Sequence, residues 1–173
     1  MTPFQLFRHC PACGIAREPL AEQPLACGAC GFTLYLNTTC AAAAFLRRPD
    51  GKVLFIRRAK EPAKGKLAIP GGFVDEGETA EDGLRREFME EVGIRVADIA
   101  FLCSQPNQYH YKGLTYPVLD FFFTANATGE EMPEALDAVE SYCWLSPAEI
   151  DPEEIAFPSM VHALALYLER RSD

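Results

Sequence analysis

The stretch GGFVDEGETAEDGLRREFMEEVGI, Gly71 to Ile94, sets a run of acid between two glycine-bearing turns. Glu87, Glu90 and Glu91 fall within five residues, directly behind Arg85 and Arg86. The spacing predicts a helix from Ala80 to Val92. Thr79 is a good N-cap, because its hydroxyl can accept from an otherwise unpaired amide of the first turn. Glu81 and Asp82 place negative charge at the positive end of the helix dipole. Gly93 stands where a left-handed C-terminal residue belongs. At about 100° per residue, Ala80, Leu84, Phe88 and Val92 form one apolar stripe, the expected core face. Glu87, Glu90 and Glu91 fall together beside it. Gly83, inside the helix, costs about 1 kcal/mol relative to alanine. Either it is merely tolerated or a backbone or ligand comes close there.

Three carboxylates on one helical face repel one another unless a cation sits among them. Hard divalent ions such as Mg²⁺ or Mn²⁺ take oxygen ligands and leave positions open to water and phosphate. The competing reading is a solvated acidic face with Arg85 and Arg86 as ion-pair partners, and the helix taken alone favours it.

The rest of the chain bounds the choice. Its 173 residues suit one ordinary domain with at most a small appendage. The hydrophobic share of 49% is enough for a real core. A net charge of −9 and a pI of about 4.9 argue against nonspecific attraction to nucleic acid or anionic membranes. An anionic ligand would need a cation as mediator. No run of about 18 apolar residues is present, so no membrane span is expected. The start, MTPFQLFRHCPACG, does not read as a signal peptide. The cytoplasm is the expected location. In that setting Asn37-Thr38-Thr39 and Asn126-Ala127-Thr128 match the glycosylation pattern by chance.

Seven cysteines give a sharper signal. Cys10-Pro-Ala-Cys13-Gly and Cys27-Gly-Ala-Cys30-Gly are two matched turns, 13 residues apart, suited to one tetrahedral Zn²⁺ held by four thiolates. The competing reading is two redox pairs or disulfides. Cys40, Cys103 and Cys143 lie in apolar segments and are expected in the core. Residues 1–36 carry little apolar mass, so a unit of that size would need metal to fold. Arg8 and Arg17 stand against Glu18 and Glu22 there, which is no footprint for a polyanion. A ribbon of this kind is expected to brace the fold or a homodimer and not to bind nucleic acid.

Along the remainder, FTLYLN (32–37), TCAAAAFLRR, KVLFIRR, RVADIAFLCSQ, LTYPVLDFFFTANAT and SYCWL (141–145) read as strands. PDG (49–51) reads as a turn and EPAKGKLAIPGG as a loop. SPAEI is expected to start a short helix capped by Ser146. SMVHALALYLERR is expected as an amphipathic helix with Val161, Leu164 and Leu168 on one side. Strands and helices without strict alternation predict an α/β (α+β) class, a mixed sheet flanked by helices.

Gly72, five residues, Glu78, seven residues, then Arg86-Glu87-Phe88-Met89-Glu90-Glu91-Val92-Gly93-Ile94 resembles the complete Nudix box, with Phe88 and Ile94 in its apolar slots. With the Pro70-Gly71-Gly72 entry and the flanking strands, the resemblance covers about residues 38–173. It implies a Nudix fold, with the zinc ribbon at 1–36 and the hydrolase domain at 37–173. It further implies hydrolysis of a nucleoside diphosphate linked to another moiety. The implied ligands of Mg²⁺ or Mn²⁺ are Glu87, Glu90 and Glu91, with Arg86 orienting them and Glu78 supporting the loop. Glu90 or Glu91 is the obvious base within the box. Glu140 resembles a further acidic position used downstream in relatives; its plain alternative is a surface glutamate. Gly71, Gly72 and Arg57 are expected near substrate, and Lys112 is a second candidate for a distal phosphate.

A four-cysteine ribbon before such a domain is similar to the NADH pyrophosphatase branch. That branch continues Ser-Gln-Pro as Trp-Pro-Phe-Pro, whereas here Ser104-Gln105-Pro106 runs into Asn107-Gln108-Tyr109-His110-Tyr111. Tyr109, His110 and Tyr111 are either an alternative stacking surface for a base or flavin ring, or a packed loop. The favoured expectation is a pyrophosphohydrolase of the NADH, ADP-ribose or FAD class. The alternative is a non-catalytic, nucleotide-sensing Nudix protein.

Overall fold

The computed structural model describes residues 1–18, 24–127 and 132–172. Glu22, counted above in the N-terminal charge balance, and Thr128 of the second glycosylation pattern lie outside the described residues. The chain forms two compact units. One comprises Met1–Thr38 with Gln108–Pro117, the other Thr39–Asn107 with Val118–Asp173.

In the first unit a short 3-10 turn, Pro3–Leu6, precedes a two-stranded ribbon. β1 (Leu25–Ala26) pairs antiparallel with β2 (Thr33–Leu34). The longer strand expected over 32–37 contracts to those two residues. The two cysteine turns fold alike. Cys10 O accepts from Gly14 N and Cys27 O from Gly31 N, each at 2.9 Å. Gly14 and Gly31 take φ of 72° and 75°, a conformation that carries little cost without a Cβ. Phe4 and Leu25 are the unit's buried apolar side chains other than cysteine, among the described residues. That is too small a core to hold a chain of this length by burial alone.

The second unit contains two sheets. β3 (Thr39–Leu46) lies between β6 (Gly71–Phe73), antiparallel to it, and β8 (Leu114–Ala127), parallel to it, with β7 (Val96–Tyr111) beyond β8. β4 (Val53–Arg58) lies between β5 (Leu67–Ala68) and β9 (Val139–Leu145), antiparallel to both. β7 and β8 run on into a hairpin tip closed by Lys112 and Gly113, at φ of 47° and 80°. Positive φ at both central residues is the two-residue turn whose twist suits a hairpin. Tyr109–Tyr111, open in the sequence between a stacking surface and a packed loop, are therefore the end of a strand. The loop expected over EPAKGKLAIPGG likewise contains β5 and β6, two strands too short to show periodicity.

α1 spans Ala80–Val92, with Thr79 Oγ1 accepting from Asp82 N and Gly93 left-handed at φ 69°. Leu84, Phe88 and Val92 are fully buried and Ala80 partly so, which is the predicted core face. α1 packs on β3 and β6, where the small side chains of Ala41–Ala44 let backbones approach closely. The amides of Glu134, Leu136 and Asp137 donate to the carbonyls of Val92, Glu91 and Glu90, supplying partners that the last turn of a helix lacks.

α2 spans Pro158–Ser172. Its buried face is Met160, Ala163, Leu164 and Tyr167, with Val161 and Leu168 only flanking it. The stripe is rotated from the expected one because Tyr167 stacks on Phe45, ring centroids 4.5 Å apart. Pro147–Glu149 is a single 3-10 turn, and the Ser146 side chain makes no capping bond. Cys40, Cys103 and Cys143 are half-buried, not fully in the core. Burial nonetheless pushes the thiols of Cys103 and Cys143 up.

Gly71 is the tightest point of the fold. At φ 146°, an added Cβ would lie 2.2 Å from Ala42 O and 2.5 Å from Ala43 Cα. Gly71→Ala is expected to cost on the order of 3 kcal/mol, from backbone strain plus overpacking. Gly77→Ala meets open space and carries only its positive φ of 87°, so about 1 kcal/mol is expected. Chemical denaturation midpoints of the two variants check this, and equal costs would contradict it.

Candidate active site

Gly71–Phe73 brings its backbone against the acidic face of α1. A Cβ on Gly72 would sit 2.5 Å from the Glu87 carboxyl carbon, so a side chain there would displace the Glu87 carboxylate from its place beside Arg86. Gly71 N donates to Glu91 Oε2 at 2.9 Å. The turn and the helix face thus form one cradle, with the peptide edge of β6 as its wall.

Arg86 organises the acids. Its Nε and Nη2 donate to the two oxygens of Glu78, both at 2.9 Å, a bidentate fork. Nη1 donates to Glu87 Oε1 at 2.8 Å and to Glu90 Oε2 at 3.2 Å. Nη2 also donates to the carbonyl of Phe73 at 2.9 Å, and Asp75 lies 3.7 Å away. A single guanidinium therefore ties loop 73–78 to two of the three clustered glutamates. The Phe73 carbonyl and Asp75 were not foreseen in the sequence. The only signal for them was their position between the glycines and Glu78.

Gly83 is explained by the same loop. Its missing Cβ would lie 3.1 Å from Glu78 Oε2 and 3.5 Å from Val74 Cα. Backbone, with the Glu78 carboxylate, is what approaches the helix there.

The three glutamates stand in different surroundings. Glu91 is 8% exposed, and burial first, then the charge of Glu87, pushes its carboxyl up to about 8 against the opposing Gly71 amide. Burial also raises Glu87, opposed by Arg86. Glu90 is open to solvent. Glu87 Oε2, Glu90 Oε1 and Glu91 Oε1 have no hydrogen-bond partner among the described residues. A buried carboxylate pushed up, beside others with spare oxygens, is the environment a hard divalent cation relieves. The donor set fits Mg²⁺ or Mn²⁺.

The other expected positions lie on the following elements. Arg57 ends β4, with Nη1 donating to Gly65 O at 2.9 Å and Nη2 3.9 Å from Glu154. Glu140 is exposed on β9, where the register with β4 shifts between Arg57 and Arg58. Tyr109 and Tyr111 belong to the first unit, their rings 6.3 Å apart, with the Lys112 ammonium 5.0 Å from the Tyr111 ring. His110 Nδ1 is 2.9 Å from Thr115 Oγ1.

The four-cysteine group is also in the first unit. The Sγ atoms of Cys10, Cys13, Cys27 and Cys30 lie within 4.8 Å of one another. Cys10–Cys30 and Cys13–Cys27 are each 3.8 Å apart. Tetrahedral zinc with Zn–S bonds of about 2.3 Å requires S–S edges of about 3.8 Å. These sulfurs are too far apart for disulfides, whose S–S bond is about 2.05 Å, and their spacing fits zinc. Amides of the Cys27 turn lower the Cys27 thiol, which favours the thiolate a metal needs.

The NUDIX domain family matches residues 38–166 of this chain. An ADP-ribose pyrophosphatase of Methanocaldococcus jannaschii is 34% identical over 112 residues, 64% of this chain and 63% of that protein. A protein of Pseudomonas aeruginosa named NAD-capped RNA hydrolase NudC is 28% identical over 166 residues, 95% of this chain and 57% of that protein. The chain thus spans between half and two thirds of the length of these relatives. A crystal structure of a NUDIX hydrolase from Nitrosomonas europaea superposes with a TM-score of 0.70 at 24% identity, covering 95% of this chain and 92% of that one. That likeness is one of fold.

The Glu78 carboxyl is held down to about 2 from 4.5, chiefly by the Arg86 hydrogen bonds and then by the Asp75 amide. A group depressed in the folded state stabilises the fold above its ordinary value and loses that contribution as pH falls through the folded one. Between about pH 4.5 and pH 2 the wild type is expected to lose stability faster than Glu78→Gln. Thermal midpoints of both proteins across that window test it, and parallel curves would show that the fork does not matter to stability.

Proposed function

The chain belongs to the NUDIX family, and on that premise we propose that it hydrolyses the pyrophosphate bond of a nucleoside diphosphate linked to another moiety. The products are a nucleoside monophosphate and the phosphorylated other half. The observation that carries this reading is the cradle itself: three spare carboxylate oxygens, ordered by Arg86 and Gly71, beside an exposed backbone edge. Bound Mg²⁺ or Mn²⁺ would supply Lewis acidity, a water of lowered pKa and charge neutralisation. Glu87, Glu90 and Glu91 would hold it.

Within this reading Arg86 positions the carboxylates and does not touch substrate, because its donors are committed to Glu78, Glu87, Glu90 and Phe73 O. Glu78 fixes that guanidinium. Glu90, open to solvent and with one spare oxygen, is the favoured acceptor for the proton of an attacking water; buried Glu91 is the other candidate. The backbone of Gly71 and Gly72 leaves space for a phosphate to approach closely. Glu140, Arg57, Tyr109 and Tyr111 remain proposed contributors to substrate contact on sequence grounds.

The substrate class we favour is ADP-ribose, NADH or FAD. The names of the two sequence relatives support a dinucleotide or nucleotide-sugar diphosphate. The four cysteines are proposed to hold structural Zn²⁺, with residues 1–36 as the ribbon and 37–173 as the hydrolase domain. Among the described residues no helix is long and apolar enough to cross a membrane. A cytoplasmic setting, a homodimer and indifference to nucleic acid complete the proposal.

Glu90→Gln and Glu91→Gln are expected to fold and to lower turnover by about 10²- to 10⁴-fold each. The assay is release of phosphate products from NADH, NAD, ADP-ribose, FAD, diadenosine polyphosphates and nucleoside triphosphates with Mg²⁺ or Mn²⁺. Undiminished turnover in both variants would defeat the assignment, and cleavage of triphosphates alone would overturn the substrate class. A folded wild type that binds but cuts nothing on the panel would favour the nucleotide sensor.

For the ribbon, metal analysis of purified protein is expected to find about one zinc per chain, and Cys27→Ser to bring it near zero. Zinc retained in full by that variant would place the ion elsewhere.

A further inference from the structure

In a chain of net charge −9, five of the sixteen basic residues gather around one feature of the second unit that the box does not use. Arg47 and Arg48 follow β3, Lys52 precedes β4, and Arg170 and Arg171 end α2. Arg47, Arg48 and Arg171 line a groove of about 600 Å³ whose other walls include Trp144, Ile94 and Pro133, and Lys52 lines a separate hollow that shares Gly51 and Arg171 with it. A second cavity of about 200 Å³ shares Arg47, Asn126 and Arg171 with the groove and reaches Arg170 and Tyr167.

Charge of one sign is costly to gather without a counter-charge. Among the described residues, no carboxylate lies within ion-pair distance of Arg47, Arg48, Arg170 or Arg171. One acid, Asp98, lines the second cavity and accepts from Asn126 Nδ2, while Asp50 accepts from Lys52 N. Arg171 keeps one donor on Gly51 O at 3.0 Å and sets its guanidinium 5.7 Å from the Tyr167 ring centroid, which fixes the group at the groove wall. Beneath them Tyr167 is 4% exposed, and its buried hydroxyl has no hydrogen-bond partner among the described residues. A buried hydroxyl without such a partner, under guanidiniums that have no carboxylate partner among the described residues, marks a wall suited to an oxyanion.

The groove also has a ring platform. Trp144 is half-buried, fixed against the core, and carries the Arg48 guanidinium 4.9 Å from its ring centroid. A planar base can take that place, exchanging one stacked π-face for another. A volume of about 600 Å³ lies within the range of about 300–1,000 Å³ usual for small-molecule sites.

We propose that this arginine groove is a second, non-catalytic binding site for a nucleoside phosphate, its phosphate held by Arg47 and Arg171 above the Tyr167 hydroxyl and its base stacked on Trp144. The proposal goes beyond the hydrolytic reading and does not depend on it. A nucleoside monophosphate is the class of compound the proposed reaction would release, so the groove is placed to report product to the enzyme.

Trp144 is the single tryptophan of the chain, so its fluorescence reads this groove and no other place. AMP titrated into the wild-type protein without divalent cations is expected to change that emission saturably. Adenosine, lacking the phosphate, is expected to need at least about tenfold higher concentration, as is AMP with the Arg47→Gln/Arg171→Gln double variant. Hydrolysis by the double variant at low product is expected to match the wild type. No saturable change with AMP, or equal midpoints for AMP and adenosine on the wild type, overturns the proposal. Loss of all hydrolytic activity on the substrate panel would leave it standing.

Discussion

Arg86 is the contact on which the second unit's chemistry depends. A cluster of carboxylates on one helix is a repulsive arrangement, and the protein contains that repulsion with one planar cation used from several sides. The fork on Glu78 fixes the guanidinium plane. The remaining donors then reach Glu87, Glu90 and the Phe73 carbonyl without a change of rotamer. Lysine offers a point charge and could not join a loop, a strand and a helix face in this way. The result is a set of acids held apart by a fixed distance, each with an oxygen to spare. The third acid, Glu91, is governed differently, by burial and by one amide of Gly71.

Much of this was legible in the residues. The limits of α1 follow from local chemistry at Thr79 and Gly93, and its buried stripe from the spacing of Leu84, Phe88 and Val92. Those signals depend on neighbours within a turn or two, so the sequence carries them in full. What it did not carry depends on distant partners. β5 and β6 exist only because β4 and β3 offer them edges. The buried face of α2 is set by the stack of Tyr167 on Phe45, which no helical period reveals. In the candidate site, the shared face of the acids was readable from spacing, while the part of Arg86 was implied by the family resemblance. The unequal burial of Glu87, Glu90 and Glu91 was not, because it depends on where Gly71 and Gly72 press against the helix.

The N-terminal unit shows the opposite balance. Its fold was legible almost entirely from four cysteines and the glycine after each pair, because so little else is available to hold it together. Among the described residues, two buried apolar side chains besides cysteine and a ribbon of two-residue strands make a scaffold in which the sulfur geometry replaces a core. The aromatic residues at the end of β7 gather with that unit, so their environment is set by a segment far away in the chain. This explains why local reading left Tyr109 and Tyr111 undecided between stacking surface and packed loop.

The last carbonyls of α1 are bound by amides from residues 134–137, more than forty positions downstream. The acidic helix is therefore held from two sides: by loop 73–78 of its own motif through Arg86, and by this return segment, outside the motif, through its backbone. Grafting Gly71–Ile94 into another host would transfer the ligands and the Arg86 tie without the outer hold that sets the end of the helix. Tuning of such a site through evolution can accordingly proceed at residues 134–137, which lie outside the signature, while the motif itself stays untouched.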